Sequence, residues 1–331
     1  MRKAGLLYGS LEHHLDHLAP FCSLMKIPLV LTEEKLLQQA TLHYPELQTV
    51  FHNYLEVPFE VVKNYDLLFY SISRLLYNEF FLIGEKTFRK QLRTIWLPHG
   101  NSDKGHISKS MECLKYEDHL LVYGPKMAEF ANHAKCTQIG NFRRDYYVKH
   151  RAFYETITQK FFRPAKKTVL YAPTWQDGEN SSSFFSSLER LVEELPSDYF
   201  LMIKPHPNLE ADSRTIHWEL KYKDHPQIQF IQRFTPIYPL LEKVDVYLGD
   251  VSSIGYDYLA FDRPMFFFNP TNRDLAHPSL HLYQGGYTLK PDESIFEAIE
   301  KEGKQSHLSS VRKQIYNHTF SGVKLLDITL D

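Results

Sequence analysis

The amino-acid sequence predicts an α/β protein made of two doubly wound halves. Short apolar runs alternate with amphipathic segments of helical length along all 331 residues, which is typical of parallel α/β sheets. The length itself suggests about two domains, at roughly 150 residues per domain. The alternation also restarts at residues 168–172, after a polar segment that ends in proline, alanine and two lysines. We therefore predict an N-terminal domain over residues 1–150 and a C-terminal domain over residues 151–331.

The individual elements follow from the same alternation. In the first half we predict strands at residues 5–8, 28–32, 67–70, 94–97 and 119–123, and helices at residues 11–25, 33–42 and 125–134. The polar segment near residues 143–164 is predicted to be one long helix. In the second half we predict strands at residues 168–172, 200–204, 228–231, 246–248 and 265–268, and helices at residues 184–195, 237–243 and 254–261. The tail over residues 295–316 is predicted to be helical and is a candidate to pack back on the first domain.

Composition and charge exclude several classes of protein. With 43% hydrophobic and 24% charged residues, the chain is not disordered, collagen-like or a coiled coil. The net charge of -2 gives no global basic field that would recruit nucleic acid. Cys22, Cys113 and Cys136 are far apart, which argues against a disulfide framework and for a reducing compartment. No apolar run reaches the roughly 18 residues of a membrane span, and no secretory leader is evident, so we expect a cytoplasmic protein.

The most informative residues follow the predicted strands, where doubly wound sheets bind ligands. His99 comes directly after the strand at residues 94–97, between Pro98, which restricts the backbone, and Gly100, which permits a sharp turn. An imidazole at this point has the right pKa to accept a proton from an attacking hydroxyl near neutrality. The alternative is a loop histidine that is bonded to the backbone, and the sequence leaves both interpretations open.

A second histidine stands at another strand exit, between two prolines. His206 follows Lys204 by two residues at the end of the strand at residues 200–204. The lysine offers a point positive charge and the imidazole a hydrogen-bond donor or acid, and together they suit a phosphate group. A structural histidine is the alternative, but the stiff loop favours a function.

Two further strand exits carry candidate binding groups. Asp250, Ser252 and Ser253 join a strand to an apolar helix, where the first amide groups, the hydroxyls and the helix dipole favour an anion. The same residue types are also common helix caps, and a cap or a hydroxyl-binding role fits Asp250 best, because its carboxylate would repel phosphate. Thr174 and Trp175 follow the strand at residues 168–172 and are candidates to line a nucleotide pocket, with packing as the alternative.

The histidines near the N-terminus suggest a further part of the site. His13 and His17 are one helical turn apart, which is the spacing of a metal pair, but no third ligand stands at a diagnostic spacing. We favour a polar wall of the cleft, because the helix follows the first strand, and we predict neither a metal nor a cofactor. The absence of a G-x-G-x-x-G motif and of a P-loop lysine argues against dehydrogenases and P-loop kinases.

Taken in order, five segments resemble the CDP-glycerol glycerophosphotransferase family, whose enzymes build teichoic acid-type polymers. The matching segments are PHGNSDK at residues 98–104, GNFRRD at residues 140–145, PTWQ at residues 173–176, KPHP at residues 204–207, and DVSSIGYDY with DRP at residues 250–258 and 262–264. The resemblance spans roughly residues 95–270. Pro98 and Gln176 stand where the family motifs have tryptophan and arginine.

The resemblance implies a GT-B-like fold, in which two Rossmann-type domains, one for the acceptor and one for the nucleotide donor, face each other across a cleft. It implies that His99 acts near the acceptor, that His206 and the Ser252-Ser253 pair hold the donor diphosphate, and that Arg143 belongs to the binding residues. The implied reaction moves glycerol phosphate, or a related alditol phosphate, from a CDP-activated donor to a hydroxyl acceptor in cell-envelope polymer or glycolipid synthesis.

Partners and alternatives follow from this assignment. The expected partners are a CDP-glycerol-like donor and a hydroxyl acceptor, for which a lipid-linked molecule and peripheral contact with the inner face of the cell membrane are open options; no nucleic acid is expected. One alternative is a GT-B glycosyltransferase or sugar-nucleotide epimerase that uses the same diphosphate site. A nucleotide-binding protein without turnover is the other, and Pro98 and Gln176 suggest it.

Overall fold

The computed structural model of the chain describes residues 1–104, 113–131, 135–163, 166–176 and 178–328. Its first half contains a seven-stranded sheet in the order β3-β2-β1-β4-β5-β6-β7, and every pair of neighbouring strands is parallel. The strands are β1 (Lys3–Leu7), β2 (Leu29–Leu31), β3 (Thr49–Phe51), β4 (Leu67–Tyr70), β5 (Arg93–Trp96), β6 (His119–Val122) and β7 (Cys136–Gln138).

The second half contains a six-stranded sheet in the order β10-β9-β8-β11-β12-β13, which is again parallel throughout. Its strands are β8 (Lys167–Ala172), β9 (Tyr199–Ile203), β10 (Ile228–Phe230), β11 (Val246–Gly249), β12 (Met265–Phe267) and β13 (Tyr287–Thr288). The two sheets lie on either side of the domain boundary near residue 150, and the exact division stays a prediction.

Helices connect and cover the strands of both sheets. The first is α1 (Glu12–Met25); the others in the first half are Glu34–His43, Val57–Asn64, Asn78–Ile83, Pro125–Ala128, Phe142–Lys149 and Arg151–Thr158. Those in the second half are Phe184–Glu193, Pro207–Glu210, Ser213–Tyr222, Tyr238–Leu241, Ile254–Tyr258, Ile295–Glu302 and Ser309–Phe320.

The central strands are apolar on both faces, because helices cover both sides of each parallel sheet. Leu6 on β1 and Val30 on β2 belong to the buried cluster on one face. Leu7 and Leu31, the next residues along the same strands, belong to the buried cluster on the opposite face. This explains why these strands appear in the sequence as short continuous apolar runs instead of alternating patterns.

The strand order determines where a ligand can bind. In the first sheet the order reverses between β1 and β4, and in the second between β8 and β11. Open α/β sheets bind ligands at such reversals, in the crevice beyond the carboxyl ends of the strands. Helix α1 begins beyond the end of β1, and Asp250 immediately follows β11. The predicted α/β fold with two parallel sheets is confirmed.

Three predicted helices differ from those in the structure. The single long helix over residues 143–164 is wrong, because the backbone of His150 (φ -109°, ψ 23°) separates two helices of eight residues each. The helix predicted at residues 125–134 ends at Ala128, and residues 132–134 lie outside the described part of the chain. The tail forms two helices, since Gly303 adopts a positive φ of 55° that ends the first one.

The last of these helices, Ser309–Phe320, contacts both halves of the chain. The Phe320 ring lies 5.5 Å from that of Tyr123, which follows β6. Gly124 approaches the same helix so closely that a Cβ atom there would lie 2.6 Å from the Thr319 carbonyl oxygen. On the side of the second sheet, the buried Arg312 donates to the Asp262 carboxylate at 2.8 Å. The helix therefore joins the two halves.

Candidate active site

A cleft with a cavity volume of about 620 Å³ lies between the two sheets. That volume is typical of a site for a small molecule or cofactor. Its lining includes Ser71 after β4, His99 after β5, Thr174 after β8 and His206 after β9. The carboxyl ends of both sheets therefore face the same space. Every predicted site residue lines this cleft except Asp250.

His99 is held in one tautomer by a backbone hydrogen bond. Its Nδ1 lies 3.0 Å from the Ser71 carbonyl oxygen, which can only accept, so Nδ1 carries the proton. The other ring nitrogen, Nε2, then has a free lone pair in the neutral ring. The side chain is reachable from the cleft, but the surrounding walls limit its hydration and lower its pKa, against the opposing effect of the Ser71 carbonyl. His99 is thus arranged as a proton acceptor.

Gly100 brings the loop after His99 against the second sheet. Its φ is +140°, a conformation that side chains rarely adopt. A Cβ atom at this position would also lie 3.2 Å from the Cβ of Ser253. Both constraints require glycine, and they bring His99 and Ser253 to the same part of the cleft.

Two histidines of α1 form a cluster with His99. The His14 ring stacks on the His99 ring with 4.1 Å between centroids and 14° between planes. The His13 ring lies edge-on to His99 at 5.8 Å. Burial and the neighbouring His99 lower the pKa of His13 to about 4 and the pKa of His14 well below its usual value. All these rings are therefore neutral near pH 7.

The cluster also tests whether the site could hold a metal ion. Among the described residues, one nitrogen from each of His13, His14 and His99 lies within 4.8 Å of the others. The lone pair of an imidazole lies in the ring plane, however, and the nearly parallel planes of His14 and His99 cannot meet at one ion. The pair suggested by the sequence, His13 and His17, is not supported either, because among the described residues His17 does not belong to the group whose ligand atoms converge. The residues as arranged do not fit a metal.

His206 is held in the opposite tautomer from His99. The amide of Asn208 donates to its Nδ1 at 3.2 Å, so in the neutral ring the proton is on Nε2. Burial, assisted by His13 and the nearby lysines, lowers its pKa to about 3. The Nζ of Lys204 lies 3.7 Å from the Glu210 carboxylate and also lines the cleft. His206 is thus arranged as a hydrogen-bond donor beside a cationic group.

Trp175 and Thr174 border the same region. The Trp175 ring lies 6.3 Å from the His206 ring, and the Nζ of Lys104 lies 5.3 Å from the Trp175 centroid. About a third of Trp175 is exposed (37%). Both residues line the cleft, as the sequence suggested.

The carboxylate of Asp250 is engaged inside the protein, and its predicted place among the binding residues stays a prediction. Its side chain is fully buried and accepts hydrogen bonds from the amides of Thr174 and Ser183, both at 2.7 Å, and from the Ser183 hydroxyl at 2.8 Å. Burial raises its pKa to about 6, against these donors. Asp250 therefore positions the loop that carries Thr174 and does not itself reach the cleft. Ser252 and Ser253 do line the cleft.

Arg143 lines the cleft and is also engaged within the protein, and its predicted role in binding substrate stays a prediction. Its guanidinium donates to both carboxylate oxygens of Asp257, at 3.1 and 2.9 Å, and also to the carboxylate of Asp16. Its Nε donates to the Asp16 backbone oxygen at 2.9 Å. Burial disfavours the charge of Arg143, but the two carboxylates outweigh it and raise its pKa. This cluster joins α1, the helix Phe142–Lys149 and the helix Ile254–Tyr258 at the base of the cleft.

Sequence reasoning missed Asp103, which connects the His99 loop to the second half of the chain. Its carboxylate pairs with Lys126 at 2.9 Å and accepts from the amide of Leu282 at 3.1 Å. It also accepts from the Tyr256 hydroxyl. Its position in the segment at residues 98–104 was the available signal, but its partners are far away in sequence.

Comparison with known proteins agrees with this architecture. Residues 118–277 match the family model described as CDP-Glycerol:Poly(glycerophosphate) glycerophosphotransferase. The chain is 24% identical over 233 residues to the teichoic acid glycerol-phosphate primase of Bacillus subtilis strain 168, covering 64% of this chain and 59% of the relative. It is 28% identical over 151 residues to the teichoic acid poly(glycerol phosphate) polymerase of Bacillus spizizenii, covering 41% of this chain and 36% of the relative.

Just under half of the chain, residues 118–277, therefore resembles the CDP-glycerol glycerophosphotransferase family. The structure of the wall teichoic acid polymerase TagF covers 98% of this chain and 85% of its own, with a TM-score of 0.67 and 16% sequence identity. At that identity the likeness establishes the fold, and the GT-B-like arrangement implied by the resemblance is confirmed. The matched segment spans less than two thirds of the length of the curated relatives. Among the described residues, no helix is both long and apolar enough to cross a bilayer.

Proposed function

We propose that the protein transfers glycerol phosphate, or a related alditol phosphate, from a CDP-linked donor to a hydroxyl group. The observation that carries this proposal is the opposite tautomers of two histidines in one cleft. His99 has a lone pair on Nε2 and suits the role of base, whereas His206 has a proton on Nε2 and suits the role of donor to a phosphate oxygen. Both residues belong to segments that resemble the family motifs.

In the proposed reaction the acceptor oxygen attacks the phosphorus that carries the glycerol group. A new phosphorus–oxygen bond forms to the acceptor, and the bond to the bridging oxygen of the diphosphate breaks. CMP leaves with that oxygen and the electron pair, while the acceptor proton passes to Nε2 of His99. His206, Lys204 and the Ser252-Ser253 pair stabilise the charge that develops on the leaving phosphate.

The comparisons support this reaction over the two alternatives. The matching family model and both curated relatives are named for glycerol phosphate transfer or polymerisation. A glycosyltransferase would instead release a nucleoside diphosphate. An epimerase would convert one sugar nucleotide into another, with no net release of nucleotide. A non-catalytic protein would bind the donor and release no CMP.

The acceptor side of the cleft supports a lipid-linked acceptor and peripheral contact with a membrane. Leu76 and Phe130 line the cleft and are 66% and 42% exposed. Leu55 and Tyr54, also in the first half, are 84% and 53% exposed. Exposed apolar side chains of this kind are a feature of membrane-contacting and protein-contacting surfaces. Flotation with phosphatidylglycerol liposomes tests this part: the wild type floats, and Leu55→Ser with Leu76→Ser reduces flotation, whereas equal flotation of both contradicts it.

The experiment that tests the reaction measures nucleotide release from purified protein supplied with CDP-glycerol and a glycerol phosphate-terminated acceptor. CMP and an acceptor enlarged by one glycerol phosphate are expected. His99→Ala should lower turnover by about 10²–10⁴-fold with donor affinity nearly intact, and His206→Ala should weaken donor binding as well as turnover. His217→Ala, at an exposed position on the helix Ser213–Tyr222, is the matched control.

The outcomes separate the candidate functions. Release of UDP from a UDP-sugar, with no CMP from any CDP-alditol, would favour a glycosyltransferase. Tight binding of CDP-glycerol without release of CMP would favour a non-catalytic protein. Full turnover in both histidine variants would place the chemistry elsewhere in the chain.

A further inference from the structure

We propose that His14 is a positioning residue whose ring acts as a platform for the His99 imidazole. This inference rests on the proposed function, because it assigns a partner to the proposed base. His14 does not carry the transferred proton in this account. Its role is to fix the plane of the His99 ring so that Nε2 faces the acceptor hydroxyl, and to support that ring while it is protonated.

The geometry shows why a platform is needed. Among the described residues, His99 is anchored by one hydrogen bond, from Nδ1 to the Ser71 carbonyl oxygen at 3.0 Å. A single hydrogen bond fixes one atom of the ring and leaves the ring free to tilt about it. The His14 ring covers one face of His99 at 4.1 Å and 14°, which restricts that tilt. An aromatic pair at this separation is itself stabilising.

His14 is in turn fixed by its surroundings. Its side chain is 3% exposed, on a helix whose residues His14 to Ser23 are all buried. The His13 ring meets it edge-on, at 4.4 Å and 76°, and reaches towards His206 at 5.5 Å on the other side. The platform therefore belongs to the packed part of the protein, while His99 stands on a loop.

The stack also suits the charge that His99 acquires. A cation is attracted to the face of a neutral aromatic ring, and the buried His14 stays neutral because its pKa is well below the usual value. The titratable groups that interact electrostatically with His99 are His13, His14 and His17 from α1 and His206 from the loop after β9. Since none of these groups is acidic, the Ser71 carbonyl oxygen and the ring face of His14 are the groups that support a positive charge on His99.

The test compares His14→Phe, which keeps a flat ring, with His14→Gln and His14→Ala, which do not. A misplaced catalytic group costs up to about 100-fold in rate, so Ala and Gln should lower kcat by about 10–100-fold with the donor KM within about twofold. His14→Phe should keep kcat within about threefold of the wild type. His217→Ala serves as the control for an unrelated histidine.

A second readout does not depend on turnover. The pKa of His99, followed by NMR of its imidazole resonances in the protein without substrate, should rise towards the ordinary histidine value in His14→Ala and His14→Gln, because water replaces the buried ring. It should stay low in His14→Phe. If the wild type releases no CMP but the pKa of His99 behaves in this way, the proposed function fails and the platform stands.

Three outcomes would overturn the platform. If folded His14→Ala keeps the kcat and the His99 pKa of the wild type, the stack affects neither catalysis nor the environment of His99. A His14→Phe variant as slow as His14→Ala would show that the imidazole nitrogens of His14, and not its ring face, are required. A loss of donor binding equal to the loss of kcat would indicate a role in the donor site.

Discussion

The carboxylate of Asp103 accepts a hydrogen bond from the hydroxyl of Tyr256, and its two oxygens lie 2.6 and 2.7 Å from that hydroxyl. Asp103 lies four residues after His99, on the loop that leaves the first sheet. Tyr256 lies three residues after Ser253, in the helix that leaves the second sheet. One hydrogen-bonded pair therefore joins the segment with the proposed base to the segment with the proposed diphosphate site, and the distance between the two depends on it.

Tyr256→Phe should loosen this connection. A hydrogen bond to a charged group contributes about 1.5–3 kcal/mol, so the free energy of unfolding should fall by about that amount. Turnover should fall as well, because the His99 loop loses a contact to the second half. Urea unfolding and CMP release measure the two effects. Tyr258→Phe is the control: its hydroxyl donates to the Val244 carbonyl at 3.1 Å, away from the loop, and its loss should leave turnover unchanged. Equal effects of both variants on turnover would contradict the connection.

The Ser252-Ser253 pair should contribute affinity for phosphate only. Ser252→Ala combined with Ser253→Ala should weaken CDP binding by about tenfold for each hydrogen bond lost, while cytidine should bind both forms equally. Calorimetry with the two ligands measures the difference. Ser186→Ala, whose hydroxyl donates to the Ser183 carbonyl at 3.1 Å outside the cleft, should change neither affinity. Unaltered CDP affinity in the folded double variant would count against this site.

We expect Arg143 to contribute more to the stability of the protein than to donor binding. Arg143→Met leaves the buried carboxylates of Asp16 and Asp257 without their shared cation, and the loss of one partner from a buried pair costs about 3–5 kcal/mol. Thermal and urea unfolding measure this loss. Arg214→Met is the control, because it removes an arginine that pairs with Asp212 at the protein surface. The unfolding midpoint of this variant should stay near that of the wild type. Adding Asp16→Asn and Asp257→Asn to Arg143→Met should restore part of the stability. If Arg143→Met is as stable as the wild type but binds the donor weakly, the predicted role of Arg143 in binding is supported instead.

The positions of His99, His206 and Ser252 could be predicted because they depend on local patterns. An apolar run indicates a strand, and the residue after the run is at the carboxyl end. In parallel sheets all such ends meet at one edge. Strand positions were therefore enough to bring residues from β5, β9 and β11 to one cleft.

The roles of Arg143 and His14 could not be predicted, because they depend on packing between distant segments. The partners of Arg143, Asp16 and Asp257, are 127 and 114 residues away along the chain. Since the sequence does not show these partners, an arginine in a segment near the phosphate site is expected to bind phosphate. The stack of His14 on His99 depends on how α1 is rotated against the first sheet. The helix break at His150 was also hidden, since neither proline nor glycine marks it.

The burial of His13 should make the protein less stable in acid. Its pKa in the folded protein is about 4, below the ordinary value of about 6.5 for an unfolded chain, because burial and His99 disfavour its charge. Between those two values the unfolded chain binds more protons than the folded one, so the free energy of unfolding rises with pH. The contribution is complete above about pH 6.5 and is lost as the pH falls to about 4. Asp250, whose pKa burial raises to about 6, acts in the opposite direction over part of this range.

Comparing variants isolates the contribution of His13 from that of Asp250. His13→Asn removes a titrating group and keeps Asp250, so its free energy of unfolding should fall less than that of the wild type between pH 7 and pH 4.5. Urea unfolding at several pH values measures the two slopes, and His217→Asn, at an exposed position, supplies a histidine substitution outside the cleft. Identical slopes for the wild type and His13→Asn would mean that His13 is hydrated in solution. The neutral cluster around His99 would then lose one of its members.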